Sequence, residues 1–107
     1  MIGAKFTQGL LDVEKILAAL AIRTGQSVLD AGCGNGYMAH HFAAAVGPTG
    51  RVIALDLDQT FIAALRAETA DTVIEAIQGD ITRETSLATA SMDLVYLSTV
   101  LHIFSSD

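Results

Sequence analysis

The chain has 107 residues, 51% of them hydrophobic and 17% charged. It can therefore bury one core, it does not read as disordered, and it makes one domain or part of one. Six Lys and Arg stand against twelve Asp and Glu, a formal net charge of −6, which excludes the basic footprint of a protein that grips a nucleic-acid backbone. A single Cys excludes an internal disulfide and an all-cysteine zinc site, and no apolar run is long enough to span a membrane.

Leu10, Val13, Leu17 and Leu20 recur at helical spacing and predict an amphipathic helix of about three turns, broken at Thr24-Gly25. Ser27-Val28-Leu29-Asp30 reads as a short buried strand. The next helix carries Met38, Phe42 and Val46 on one face. Gly47-Pro48-Thr49-Gly50 is a turn, and Val52 to Leu55 a second strand. Asp58 is placed to cap a third helix over Gln59 to Ala70, with Phe61, Ala64 and Leu65 inward. Val73 to Ile77 and Leu94 to Leu97 are the third and fourth strands. Between them Thr82 to Ser91 is polar and weakly periodic.

Strands two to four are dense in Val, Ile and Leu, which implies a sheet covered on both faces. The alternation of strand and helix implies parallel strands with right-handed crossovers. The expected fold is α/β, the first half of a doubly wound parallel sheet with helices on both faces.

Val28 to Gly36 holds the densest signal. A strand runs into a loop with Gly32, Gly34 and Gly36 at alternate positions and then into a helix. Glycines permit tight turns and close approach of the backbone to a ligand, and the helix start offers free N–H groups. Asp56 ends the second strand, twenty positions past Gly36, where an acid can accept hydrogen bonds from both ribose hydroxyls of a nucleoside. Gly79-Asp80 ends the third strand in the same way. All three signals fall at the carboxyl rim of a parallel sheet, where open sheets of this kind bind ligands.

These residues resemble the class I S-adenosylmethionine-dependent methyltransferases. Val28 to Gly36 is similar to their first motif, (V/L)LDxGxGxG, in the Cys33 version common in the ubiquinone/menaquinone-biosynthesis-like group that acts on small molecules. Val52 to Asp58 resembles the motif after the second strand, Gln78-Gly79-Asp80-Ile81 the second numbered motif, and Met92 to Tyr96 the FDLV strand. Val100-Leu101-His102 resembles the VLHH segment behind it. The resemblance spans Ser27 to His102 in register.

That resemblance implies S-adenosyl-L-methionine as cofactor. Asp30 and Gly32 would lie beside its methionine moiety, and a carboxylate there suits a sulfonium. Cys33 would be a small apolar residue of the loop, and Gly34 and Gly36 would shape it. Asp56 would hold the ribose, with Leu57 next to it, and Asp80 with Ile81 the adenine. Ser98 would complete the cofactor set. A small-molecule methyl acceptor is expected, since the (D/N)PP(Y/F) motif of amino-methylating DNA enzymes is absent and the charge is acidic. No catalytic residue is assigned. His40, His41 and His102 read as structural or surface residues, and no metal is expected.

The family fold has seven strands in the order 3-2-1-4-5-7-6, and the chain ends at Asp107 after four. The resemblance therefore implies a Rossmann-like parallel sheet with helices on both faces, truncated after about four strands in the order 3-2-1-4. The expected object is the cofactor-binding half, residues 1–107, of a longer domain. If the chain were whole, Leu94 to Leu97 would be an apolar sheet edge, and a homodimer through it or through Val100 to Phe104 is expected. Met1 to Gly9 lacks the order of a signal peptide, and with one Cys this points to the cytoplasm. Two rival readings are a non-catalytic binding module of the same fold and a nicotinamide-dependent dehydrogenase half-domain, although the latter expects GxGxxG where this chain has GxGxG.

Overall fold

The computed structural model describes residues 13–80 and 91–97. The first described element is a helix, α1, over residues 13–20. There follow β1 (Ser27–Ala31), α2 (Tyr37–Val46), β2 (Arg51–Asp56), α3 (Gln59–Glu68), β3 (Ile74–Gln78) and β4 (Leu94–Leu97). The four strands form one parallel sheet in the order β3-β2-β1-β4, the order the family resemblance implies. Ser27 pairs with Arg51 at the start of β1 and β2, and Val28 pairs with Leu94 where β4 begins.

Alternation along the strands sorts the core into two layers. Val28, Val52, Ala54, Ile74 and Ala76 face Ala39, Phe42 and Val46 of α2 and Ile62 and Leu65 of α3, with Leu17 and Leu20 of α1 against them. Leu29, Ile53 and Leu55 form the other layer with Ile77, Met92 and Val95. Val52 through Leu55 are buried without interruption, which is the signature of a central strand covered on both faces. β3 departs from the expected continuous burial. Ile74 and Ala76 are buried, whereas Glu75 and Gln78 are exposed, because β3 lies at the end of the described sheet. Arg66 Nε donates to the Ala76 carbonyl at 3.0 Å, so a charged side chain covers part of this edge.

The helices also revise details of the periodicity. α1 ends at residue 20, before Thr24-Gly25, and Ala21 takes a left-handed conformation with φ 50° while its N–H reaches the Leu17 carbonyl. In α2 the fully buried stripe is Ala39, Phe42 and Val46, with Met38 at its margin. In α3 the inward residues are Ile62 and Leu65, while Phe61 and Ala64 are exposed. The stripe continues into Thr69, which is buried and donates its hydroxyl to the Leu65 carbonyl at 2.7 Å. Asp58 caps α3 as expected, its carboxylate accepting from Thr60 N at 2.8 Å and Phe61 N at 3.2 Å. The helix stops at Glu68, short of Ala70. The expected first-helix residue Leu10 and the segment 82–90 lie outside the described residues.

Candidate cofactor site at the strand ends

The chain after β1 must turn sharply to enter α2, and the end of β2 anchors that turn. Gly32 N and Cys33 N both donate to the Leu55 carbonyl, at 2.7 and 3.0 Å, and Gly36 N closes a turn onto the Cys33 carbonyl at 2.9 Å. Gly34 and Gly36 have φ of 56° and 88°, values an L side chain adopts only at a cost. Their surroundings differ. A Cβ on Gly34 would meet nothing within 4 Å, whereas one on Gly36 would stand 2.6 Å from Leu65 Cδ1. Gly36 is where α3 packs beneath the loop. Gly34 is where the loop opens.

Asp56 ties this loop to the end of β2. Its Oδ2 accepts from Gly34 N and its Oδ1 from Asp58 N, each at 2.8 Å. Its carbonyl accepts from Gly79 N at 3.0 Å, and Gln78 Nε2 donates to the Leu57 carbonyl at 3.2 Å, so the end of β3 joins the same network. Asp56, Gly32, Gly34 and Asp80 are all half-buried. Leu57, 66% exposed, presents a large apolar side chain to solvent just past the strand end, an arrangement suited to covering a flat ligand ring.

Asp30 is the outlier. It is fully buried, and neither carboxylate oxygen has a hydrogen-bond partner among the described residues. In register it lies between Ala54, which offers no polar side chain, and Tyr96, whose ring stands edge-on to Phe42 at 5.3 Å. Burial first, and then the Asp56 charge, push the Asp30 carboxyl up to about 7. Burial, then Asp30, also pushes the Tyr96 phenol up. The Cys33 thiol is pushed up to about 12 by burial and by both carboxylates, against a smaller backbone hydrogen-bond effect. A thiol in that state is not a nucleophile near neutral pH.

The structure thus brings Asp30, Gly32, Cys33, Gly34, Gly36, Asp56, Leu57 and Asp80 to one rim. Ile81, Ser98 and His102 lie outside the described residues. His40 pairs with Glu68 of α3 at 2.6 Å, and His41 stands edge-on to Tyr37. Among the described residues no three His, Cys, Asp or Glu could hold a metal together. Sequence reasoning did not identify Tyr96 as the neighbour of Asp30, since only the register of β1 with β4 brings them together. Nor did it identify the bond from Gly34 to Asp56.

The residues fit a nucleoside cofactor with a cationic part. Gly34 fronts open space, Asp56 presents a carboxylate beside it, and Asp30 is a buried acid without a donor among the described residues. A Rossmann-like sheet with this rim defines a cofactor-binding α/β protein. Residues 28–107 match the family described as a methyltransferase domain, and the chain belongs to that family. Its class is that of the S-adenosylmethionine-dependent methyltransferases. A Streptomyces fradiae protein, described as an uncharacterized 37.1 kDa protein in transposon TN4556, is 42% identical over 67 residues, covering 62% of this chain and 19% of that protein. The SAM-dependent O-methyltransferase of Thermotoga maritima superposes with a TM-score of 0.62 at 25% identity, covering 67% of this chain and 29% of its own. Coclaurine N-methyltransferase, solved with N-methylheliamine and SAH, gives a TM-score of 0.60 at 28% identity over 68% of this chain and 22% of its own. The chain spans less than a third of the length of each of these relatives.

Proposed function

We propose that this chain is the S-adenosylmethionine-binding part of a longer, cytoplasmic methyltransferase that transfers a methyl group to a small molecule. The observation that carries the reading is the opening in front of Gly34, bordered by the Asp56 carboxylate and backed by Asp30, which has no partner among the described residues. In this reading Asp30, Gly32, Cys33 and Gly34 border the methionine moiety and Gly36 fixes the loop on α3. Asp56 accepts from the ribose hydroxyls, and Leu57, Asp80 and Ile81 surround the adenine. Ser98, next in sequence after β4, is the remaining proposed cofactor contact.

The cofactor, when bound, supplies an already activated methyl group, and the protein supplies binding, orientation and electrostatics. Asp56 contributes a carboxylate already oriented by two backbone N–H groups, so little side-chain entropy remains to be lost on binding. The loop's pins to Leu55 and Asp56 hold its backbone in place before the cofactor arrives. A small-molecule acceptor is supported by the net charge of −6, by the missing DNA-enzyme motif and by the resemblance to the ubiquinone/menaquinone-biosynthesis-like group. Coclaurine N-methyltransferase, itself solved with the small molecule N-methylheliamine, supports it further.

Calorimetry with folded protein tests the reading. Saturable heat is expected with S-adenosylmethionine and with its demethylated product, at micromolar strength or weaker. Saturable heat with a nicotinamide dinucleotide, and none with either cofactor form, overturns it.

A further inference from the structure

Asp30 is used by the reading above only as a border of the site, yet its surroundings are unlike those of an ordinary binding carboxylate. It is fully buried, and among the described residues both oxygens lack a donor. Each described element around it either withholds a positive charge or adds a negative one. On β2 its register partner is Ala54, and Asp56 lies two residues further along. The loop contributes Cys33, whose thiol stays neutral. β4 contributes the Tyr96 phenol. α2 presents Phe42 to this face, while its His40 is turned to Glu68 and its His41 to Tyr37. The described cations are elsewhere. Arg51 starts β2 opposite Ser27, at the far end of the sheet, and Arg66 is bonded to Ala76 on β3. Arg23 precedes β1, and Lys15 is on α1.

A buried carboxylate with no donor and a second carboxylate nearby is stable mainly in its neutral form. A cation brought within a few ångströms reverses that preference. We infer that Asp30 holds a proton in the free protein and surrenders it to solvent when a cationic group of the cofactor enters the site, so that cofactor binding and proton release are one coupled event. The balance is simple: the carboxyl O–H bond breaks, the proton passes to buffer, and the carboxylate left behind is neutralised by the incoming positive charge. This rests on the proposed S-adenosylmethionine site.

Two groups of that cofactor could supply the charge, its sulfonium and its α-ammonium, and only the second is shared with the demethylated product. With the free carboxyl at about 7, affinity should rise about tenfold from pH 6 to pH 8, most of it below pH 7, if the bound carboxyl is fully ionised. The cofactor's own amino group also titrates, so the comparison that matters is with Asp30→Asn, which keeps the shape and lacks the proton.

The experiment is calorimetric titration at pH 6.5 in buffers of different ionisation enthalpy, with wild type and Asp30→Asn, and with both cofactor forms. A release of more than half a proton per ligand in wild type, absent in Asp30→Asn, is the expected result. Release with both forms assigns the α-ammonium as the cation, and release with the methylated form alone assigns the sulfonium. Saturable heat with no difference in proton release between wild type and variant overturns the inference and leaves the cofactor site standing. Absence of saturable heat with either form overturns both. Carbon NMR of the Asp30 carboxyl in the wild-type protein decides independently if the variant does not fold. Titration near 7 that moves below 5 on addition of ligand supports the inference, and titration near 4 in the free protein refutes it.

Discussion

An alanine at Gly36 would place its methyl carbon 2.6 Å from Leu65 Cδ1, 3.1 Å from Cδ2 and 3.4 Å from Cγ. Leu65 is only 1% exposed and packs in the main core, so it cannot swing into solvent to make room. The backbone there, at φ 88°, adds about 1–2 kcal/mol for any L residue. Overpacking of a dense core adds about 1–3 kcal/mol, giving a total loss for Gly36→Ala of roughly 2–5 kcal/mol. Gly34→Ala has the backbone strain alone, about 1–2 kcal/mol, because its Cβ meets open space. Urea unfolding followed by circular dichroism should therefore rank wild type above Gly34→Ala and Gly34→Ala above Gly36→Ala. Leu65→Ala in the Gly36→Ala background should recover part of the clash. Cofactor titration should show the reverse emphasis, with Gly34→Ala losing more affinity per folded molecule. Equal stability losses at the two glycines, with no coupling between positions 36 and 65, would refute the division of labour between them.

Asp30 should also leave a mark on stability. Its folded-state value of about 7 lies above the ordinary 3.8, so the folded protein holds a proton that the unfolded chain has lost. Its contribution is fully present below about pH 4 and disappears as pH rises toward 7, a change of up to about 4 kcal/mol. Asp30→Asn should flatten that pH dependence in urea unfolding at pH 5 and pH 8. Asp56→Ala should weaken cofactor binding by at least the about 1.5–3 kcal/mol of one bond to a charged acceptor, whereas Asp58→Ala should cost about 1 kcal/mol of stability through the lost cap and little affinity. Calorimetry and unfolding on the same two variants separate these outcomes. Cys33, with its thiol pushed up to about 12, should resist iodoacetamide at pH 8 in the native protein and react readily in urea, as mass spectrometry would show.

The positions of the strand ends could be read from the sequence because each depends on a local pattern, whereas the sheet order came from the family resemblance. A short apolar run followed by Gly or Asp recurs at Ala31-Gly32, Leu55-Asp56 and Gln78-Gly79. The face of α3 could not be read this way. Phe61 and Leu65 share one helical spacing, and Ile62, Leu65 and Thr69 share another, so the sequence supports both stripes. The choice depends on where α3 meets Gly36, which is a tertiary fact. The partial exposure of β3 escaped for a related reason, since Val73, Ile74 and Ile77 suggested a strand covered on both faces despite Glu75, and its place beyond β2 decides otherwise. The isolation of Asp30 was equally hidden. Its position in the glycine motif is plain in the sequence, but its lack of a donor depends on Ala54 and Tyr96 flanking it across two strands.

The placement of β1 also governs the order in which the protein can assemble. Its pairing with β2 joins residues 24 positions apart, from Ser27 to Arg51. Its pairing with β4 waits for Asp93, 66 residues downstream, whose carboxylate and N–H engage the N–H and carbonyl of Ser27. A ribosome adding about 5–20 residues per second needs roughly 3–13 s to cover that distance. Once β3 is complete at Gln78, 15 residues before Asp93, β1, β2 and β3 can be joined while the β4 side of β1 still offers a row of unpaired backbone groups, an open template for a neighbouring chain. The exchange of bonds between Ser27 and Asp93 then acts as the latch that sets the register of the last strand. Losing that latch through Asp93→Ala would prolong the nascent chain's vulnerable stage, and the damage would show in the yield of soluble protein before it showed in the affinity of the finished fold.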